Sequence, residues 1–299
     1  MSFFIIYTEL FVVGNIDSNL LTSDKVTMVI NSCDAYQEIW PLFFCALDEY
    51  WPNRDFEVVI NSESEVKKTK NTKLYLNNVD KENGNGWGLR LLRTLASIET
   101  EYVITVFDDY ILESIVDISQ VNNIISFMDD HPYAAVYYLN AVCLKSHVDD
   151  KDSSYRLLKD RVDYRLNSAP AVWRRKDLMS YIGERDNPWA WEVFGSYRTF
   201  GDGKEFYSPS SVINNIYNYN FKKGGAIYRG KWVSDVVVPK VKKYNLDIDF
   251  AKRGFSDNNL FEKRSLFWKF SFLWLGFKMI GFKVFYFIIR SLKVKIDAL

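Results

Sequence analysis

Two adjacent carboxylates, Asp108 and Asp109, follow Tyr102-Val-Ile-Thr-Val-Phe107, the most strand-like run in the chain. Side by side they repel each other. A hard divalent cation shared with phosphate oxygens relieves that repulsion, because Mg²⁺ or Mn²⁺ takes one or two protein carboxylates and completes its shell with water and phosphate. The position suits a ligand, since open α/β sheets bind theirs outside the carboxyl ends of the strands. Taken alone, an Asp-Asp pair also reads as a solvated turn.

A second acid, Glu192, follows Trp189 and Trp191 near the start of a helix that Asn187 caps and Pro188 opens. There the positive end of the helix favours the ionised form, a carboxylate suits general-base work, and the indoles offer a flat platform. Arg229 and Lys231 flank Gly230, a pattern able to stabilise a departing phosphate, and Lys222-Lys-Gly-Gly225 just upstream reads as part of a mobile cover. Arg174 and Arg175 after Trp173 fit either an acceptor phosphate or the start of a helix.

The elements that position these groups alternate. Residues 26–30 and 56–60 read as strands, with Ile39, Leu42, Phe43, Ala46 and Leu47 at helical spacing between them and Pro41 in the first helical turn. Asn83-Gly-Asn-Gly86 marks a turn before a helix with Trp87, Leu91, Leu92, Leu95 and Ile98 on one face and Arg90 on the other. Beyond the Asp pair, 118–128 reads as a helix and 134–139 as a strand, 145–165 as a polar surface excursion, and 175–182 and 188–197 as helices. Ala226-Ile-Tyr228 is a short strand leading into Arg229-Gly-Lys-Trp232. The expected organisation is an N-terminal extension over 1–24, an α/β domain over 25–255 and a helical tail over 256–299.

In that order, Ile30-Asn-Ser-Cys-Asp34, the helix carrying Arg90, and Glu101-Tyr-Val-Ile-Thr-Val-Phe-Asp-Asp109 resemble a GT-A glycosyltransferase of bacterial surface-polysaccharide assembly (O-antigen, capsule or exopolysaccharide). The resemblance covers residues 25–254. It extends through Ala169-Pro-Ala-Val-Trp-Arg174, Asn187-Pro-Trp-Ala-Trp-Glu192 and Tyr228-Arg-Gly-Lys-Trp232. It implies a GT-A-like, Rossmann-related and mostly parallel sheet flanked by helices, and transfer of a sugar from a nucleotide-sugar donor to a glycan acceptor with inversion. It further implies Asp109 as the metal or diphosphate carboxylate, and Asp108 at the metal and against the ribose or donor sugar. Asn31, Asp34 and Asn61 would lie around the nucleoside and Arg90 would face the donor. Glu192 would be the base, and Trp189, Trp191 and Arg174 the acceptor side. Tyr110 stands where the family often has a third acid, which sets this chain apart on metal dependence.

Composition narrows the classes. In 299 residues, 48% hydrophobic and 25% charged, there is room for a sizeable core, and neither wholesale disorder nor a multi-span membrane protein fits. Basic and acidic residues number 38 each, so no global field calls for nucleic acid. Cys33, Cys45 and Cys143 lack metal or disulfide spacing, and two histidines make a His-rich zinc site improbable. Residues 1–13 lack the basic start of a signal peptide. The balance hides an asymmetry. Residues 263–299 hold eight basic groups and one acid, net +7, leaving −7 on the first 262.

The tail's longest uncharged run, Phe270-Ser-Phe-Leu-Trp-Leu-Gly-Phe277, falls far short of the about 20 residues a spanning helix needs. Aromatics interspersed with lysines read as an amphipathic anchor on anionic lipid, with a break near Gly276 or Gly281; a core or dimer helix pair is the alternative. The combined expectation is a peripheral glycosyltransferase at the cytoplasmic face of the plasma membrane with a lipid-linked acceptor. Its competitors are a metal-dependent nucleotidyl- or phosphotransferase, without a P-loop, and a noncatalytic carbohydrate-binding protein at the membrane.

Overall fold

The computed structural model describes residues 24–63, 86–143, 156–221, 224–256 and 265–296. Residues 1–23 of the N-terminal extension, the turn residues 83–85, residues 145–155 of the polar stretch, Lys222 and Lys223, and residues 257–264 at the start of the tail lie outside them.

Seven strands form one sheet: β1 (Val26–Asn31), β2 (Glu57–Asn61), β3 (Tyr102–Phe107), β4 (Ala134–Tyr138), β5 (Arg156–Leu157), β6 (Ala171–Arg174) and β7 (Glu205–Ser208). Their order across the sheet is β2-β1-β3-β6-β4-β7-β5. β2, β1 and β3 are parallel, β4 and β7 are parallel, and β6 runs antiparallel to both β3 and β4. Only β6 and β5 oppose the common direction, so this is a mostly parallel α/β sheet.

Both sides of the sheet are covered, which is why its central strands are apolar runs rather than alternations. All six residues of β1 are buried. Val26, Met28 and Ile30 pack with Tyr102, Ile104 and Val106 on one face, while Val29 and Val103 join Trp173, Trp191 and Phe206 on the other. Each such side chain contributes about 1.5–3 kcal/mol on burial. The first face is closed by α1 (Trp40–Tyr50), with its proline in the first turn, and by α3 (Ile118–Asp130), capped by Asp117. The second is closed by α2 (Trp87–Ala96) and α4 (Arg175–Tyr181). α5 (Pro188–Val193) begins as expected, with the Asn187 side chain accepting from Ala190 N at 2.8 Å, but it ends at Val193 and passes into a 3₁₀ turn, Gly195–Arg198.

Elements that escape the sequence reading include β5, β6, β7, and α6 (Ser234–Lys243), which carries Pro239 internally. The described part of the polar 145–165 stretch, residues 156–165, is not wholly a surface excursion. Arg165 is buried, donating to Thr199 O and Lys204 O and lying 4.1 Å above the Phe206 ring.

The tail is a helical hairpin, α7 (Leu266–Ile280) and α8 (Lys283–Ile296), broken at Gly281, whose φ of +58° is open to glycine at little cost. It is docked on the body. Ala190, Phe194 and Val284 form a buried cluster with Phe272 and Phe287, and the Phe194 ring lies 4.9 Å from Phe272 and 5.1 Å from Phe287. Gly276 faces Phe194 so closely that a Cβ would meet the ring at 2.6 Å.

Gly276→Leu is therefore expected to overpack this seam and cost about 1–3 kcal/mol. Urea unfolding monitored by circular dichroism checks it; unchanged stability would show that the seam yields freely.

Candidate functional site

The carboxyl edge of the sheet gathers the ends of β1, β2, β3 and β4 and, because β6 runs backwards, the residues that lead into β6. At the end of β3, Asp108 is 1% exposed. Its Oδ2 accepts hydrogen bonds from the Ser32 hydroxyl and from Trp40 Nε1, the latter at 3.1 Å, and its backbone N donates to Asn31 O at 3.2 Å. Burial pushes its carboxyl up to about 7 against those two donors. Asp108 is thus a buried tie between β3, the end of β1 and the start of α1, rather than the ribose, donor-sugar and metal contact expected of it.

Asp109 is the member of the pair that is left half-buried. Its carboxyl lies well above the ordinary range, because burial and then the Asp108 charge oppose ionisation, offset partly by an Ile227 backbone N–H. Among the described residues no lysine or arginine forms an ion pair with it. Ala226 N donates to Asp109 O at 2.8 Å, so the hairpin of β8 (Ile227–Tyr228) and β9 (Lys231–Trp232) is rooted on Asp109. Gly225 makes the root possible: it holds φ at +126°, and a Cβ there would lie 2.7 Å from Asp109 O and 2.8 Å from Oδ2.

Arg229 and Gly230, both at positive φ, form the two-residue hairpin tip, with the Arg229 guanidinium 5.4 Å from the Tyr228 ring centre and Lys231 exposed beside it. Arg253, which the sequence did not single out, ties this tip to the segment after β1. It donates to Gly230 O at 3.3 Å and to Glu38 and Ala35 O, and lies 4.6 Å above Tyr36. Tyr36 in turn feels Asp109, and burial with that charge raises its hydroxyl to about 12.

The residues expected around a nucleoside form two layers. Asn31 and Asn61, 2% and 0% exposed, are a buried floor, with Asn31 Oδ1 accepting from Trp87 Nε1 at 3.1 Å and from Asn61 Nδ2 at 3.2 Å. Arg90 is turned into this floor. It is 4% exposed, and Nε, Nη1 and Nη2 donate to Asn61 Oδ1, Glu63 Oε1 and Ser32 O. Asp34 and Glu63 sit above this floor, Asp34 N donating to Glu63 Oε2 at 2.6 Å and Ser62 Oγ to Asp34 Oδ1 at 3.1 Å.

Glu192 is brought to the same edge through β6. Its Oε1 accepts from Ser168 N at 2.6 Å, three residues before β6 begins. It occupies the fifth of six positions in α5, not the first turn, so the helix end does not favour its charge as expected; burial raises its carboxyl, and Ser168 offsets this in part. Tyr110 and Tyr219 stack with centroids 4.4 Å apart, and both phenols are raised by burial and by the charges of Asp109 and Glu192. Tyr219 arrives on residues 215–219, which cross the edge: Tyr217 Oη donates to Tyr110 O at 2.8 Å and Glu113 N to Asn218 O at 2.9 Å.

Two acceptor-side expectations are corrected. Trp191 is core, 4% exposed, packed on Trp87 and Trp173 and donating Nε1 to Tyr181 O at 3.1 Å; Trp189, 61% exposed, keeps a free face. Arg174 pairs in register with Tyr102, at the amino edge of β3, where it holds Glu101 and Met128 O, remote from the acid pair by the length of the strand.

The resemblance implies a divalent metal. Among the described residues no group of three or more His, Cys, Asp or Glu is arranged to hold one, and Asp108 Oδ2 already accepts two hydrogen bonds. What remains is Asp109, an enclosed carboxylate without a cation partner among the described residues. That donor fits a hard cation taking one protein carboxylate and filling its shell with water and phosphate. Asp109 would hold it, with Asp108 fixing the strand end beneath.

No family model matches the sequence, and no curated protein matches it. Among solved structures, S. aureus TarS (1–349) is 15% identical, with 87% of this chain and 82% of that one covered and a TM-score of 0.44. The galactosyltransferase LgtC, in complex with donor and acceptor sugar analogues, is 9% identical over 64% and 70% at a TM-score of 0.35. UDP-glucose pyrophosphorylase, complexed with UDP-glucose, is 12% identical over 65% and 96% at 0.41. These similar folds include both glycosyltransferases and nucleotidyltransferases.

Asp109→Asn should leave the melting temperature of the free protein near wild type and abolish the extra stabilisation that Mn²⁺ gives with nucleoside diphosphates, because only ligands bound to the folded state raise it. Gly225→Ala should weaken the same response by displacing Asp109. Thermal-shift measurements over a panel of nucleoside diphosphates check both; a full Mn²⁺ response in Asp109→Asn would remove the carboxylate from the site.

Proposed function

We propose that the chain is a glycosyltransferase that moves a sugar from a nucleotide-sugar donor to a glycan hydroxyl with inversion, in the assembly of a surface polysaccharide. The observation that carries this reading is the gathering of two acids at the carboxyl edge of the sheet, Asp109 just past the end of β3 and Glu192 held by Ser168 N ahead of the reversed strand β6. A carboxylate set apart from the diphosphate side is what inversion requires: one group manages the leaving phosphate while another takes a proton on the opposite face.

In this reading the nucleoside lies over Asp34 and Glu63, which the Arg90 and Asn61 floor holds in place. The diphosphate lies towards Asp109 and the β8–β9 tip, where Arg229 and Lys231 stabilise the charge that grows as the sugar–phosphate bond breaks. Asp109 would hold a divalent ion, which when bound would supply positive charge on this side of the site. On the other side Glu192, held by Ser168 N, accepts the proton of the acceptor hydroxyl as its oxygen attacks the anomeric carbon. Trp189 offers an exposed ring beside it.

Product analysis separates this from nucleotidyl transfer: a glycosyltransferase given a nucleotide-sugar releases nucleoside diphosphate, whereas a nucleotidyltransferase given nucleoside triphosphate and sugar phosphate releases pyrophosphate. Release of neither would favour a binding protein.

Glu192→Gln should keep donor binding and lose about 10²–10⁴ in kcat, as removal of a general base does. The base works only when ionised, and its carboxyl is raised. Wild-type turnover should therefore rise with pH through a midpoint above the about 4.3 of an unperturbed glutamate, and the residual activity of the variant should lack that limb. Loss of donor affinity with kcat retained would make Glu192 a ligand contact instead.

A further inference from the structure

α7 and α8 turn one side to the body and leave the other bare. Phe267, Phe270 and Trp274 on α7, Phe282 in the turn, and Phe285 and Ile289 on α8 are 55–82% exposed. They form one surface. Trp274 stacks on Phe277, Phe277 meets Phe282 edge-on at 5.8 Å, and Phe282 stacks near Phe285, so the aromatic face crosses the hairpin turn without a break. Isolated exposed hydrophobics need no explanation, but a contiguous face of large rings marks an interaction site.

Charge identifies the occupant. Residues 265–296 contain six lysines and arginines and no acid. Two of these cations are spent on the body, Lys283 Nζ donating to Tyr197 O at 3.0 Å and Arg290 pairing with Asp163 at 3.4 Å. Lys269 and Lys278 stay exposed beside the aromatic face, Lys278 Nζ 5.6 Å from the Trp274 ring. A second copy of the hairpin would meet this face with the same sign of charge and no acid to answer it, whereas anionic lipid headgroups answer it directly. Length agrees. The 15 residues of α7 extend about 22 Å, short of the about 30 Å hydrocarbon core, and no described helix is long and apolar enough to cross a membrane. Helices of this kind lie in the plane of the interface.

The docked side leads to the candidate base. Phe194, which receives Gly276, follows Glu192 by two residues, so α5 and its end carry the candidate base and the seam with the hairpin within one helical turn. We propose that α7 and α8 form an in-plane docking hairpin whose aromatic face enters the headgroup region of an anionic bilayer and seats the Glu192 end of the cleft at that surface, where it meets a lipid-linked glycan acceptor. The acceptor part of this rests on the glycosyltransferase reading; the docking part does not.

The test uses the full chain and a variant carrying Phe270→Ser and Trp274→Ser, both at exposed positions away from the cleft. Co-sedimentation is measured with phosphatidylcholine vesicles and with mixed phosphatidylcholine–phosphatidylglycerol vesicles. The wild type should bind the mixed vesicles at least about tenfold better and lose only part of that binding as salt rises, because salt screens the lysines and not the inserted rings. The variant should lose about tenfold or more of its binding while melting as the wild type does and turning over a short water-soluble acceptor at the same rate. Its preference for a lipid-linked acceptor should vanish.

Absence of binding to anionic vesicles, equal binding by the variant, or a wild-type dimer in solution that the variant dissociates would each overturn the docking. Binding is also measured on Asp109→Asn protein, so loss of sugar transfer and loss of docking are read separately. Docking without any preference for the lipid-linked acceptor would overturn the acceptor assignment alone.

Discussion

Two neighbouring carboxylates must be held at the end of a buried strand, and much of the architecture around them answers that constraint. The fold treats the pair unequally. Asp108 is drawn inward and given two hydrogen-bond donors, Ser32 and Trp40, which also lock the end of β1 to the first residue of α1. Asp109 is left with backbone donors and a glycine wall at Gly225, and its charge is answered by no described cation. Burying one acid as a tie fixes the other in space. The β8–β9 hairpin is rooted on that second acid, and Arg253 fastens its tip to the 34–39 segment. A carboxylate that costs energy to ionise in isolation is stabilised when positive charge arrives.

The reversed strand β6 has a comparable reach. Because it enters at the carboxyl edge and runs to the amino edge, it delivers Ser168 to the cleft and Arg174 to the far side of the sheet. Ser168 in turn captures Glu192, so the reach of α5 into the site depends on the polarity of one four-residue strand. The same helix meets the C-terminal hairpin through Phe194. Core, cleft and hairpin are thereby mechanically continuous, with Trp191 anchoring α5 in the second core and Phe194 anchoring it to the hairpin.

The alternation of strands and helices, a break in the tail at one of two glycines, Gly276 or Gly281, the Asn187 cap, the first-turn proline of α1 and the placing of Asp108-Asp109 at a strand's end were all legible in the sequence. Each depends on neighbours in the chain: periodicity, a cap, a ring-fixed φ or a left-handed turn are local properties that the residues carry with them. β6 and β7 were missed because four residues in a strand show no period that a run of mixed polar and aromatic residues does not also show. Tertiary structure alone decided which polar residues reach solvent. Arg90, Asn31, Asn61 and Trp191 look like ligand contacts by type, but they are buried because strands distant in sequence close over them; Arg253 and Tyr219 join the site by long-range packing that leaves no local mark. Residue type states what a side chain can do, and the crossing of distant segments decides whether it meets a ligand or holds one that does.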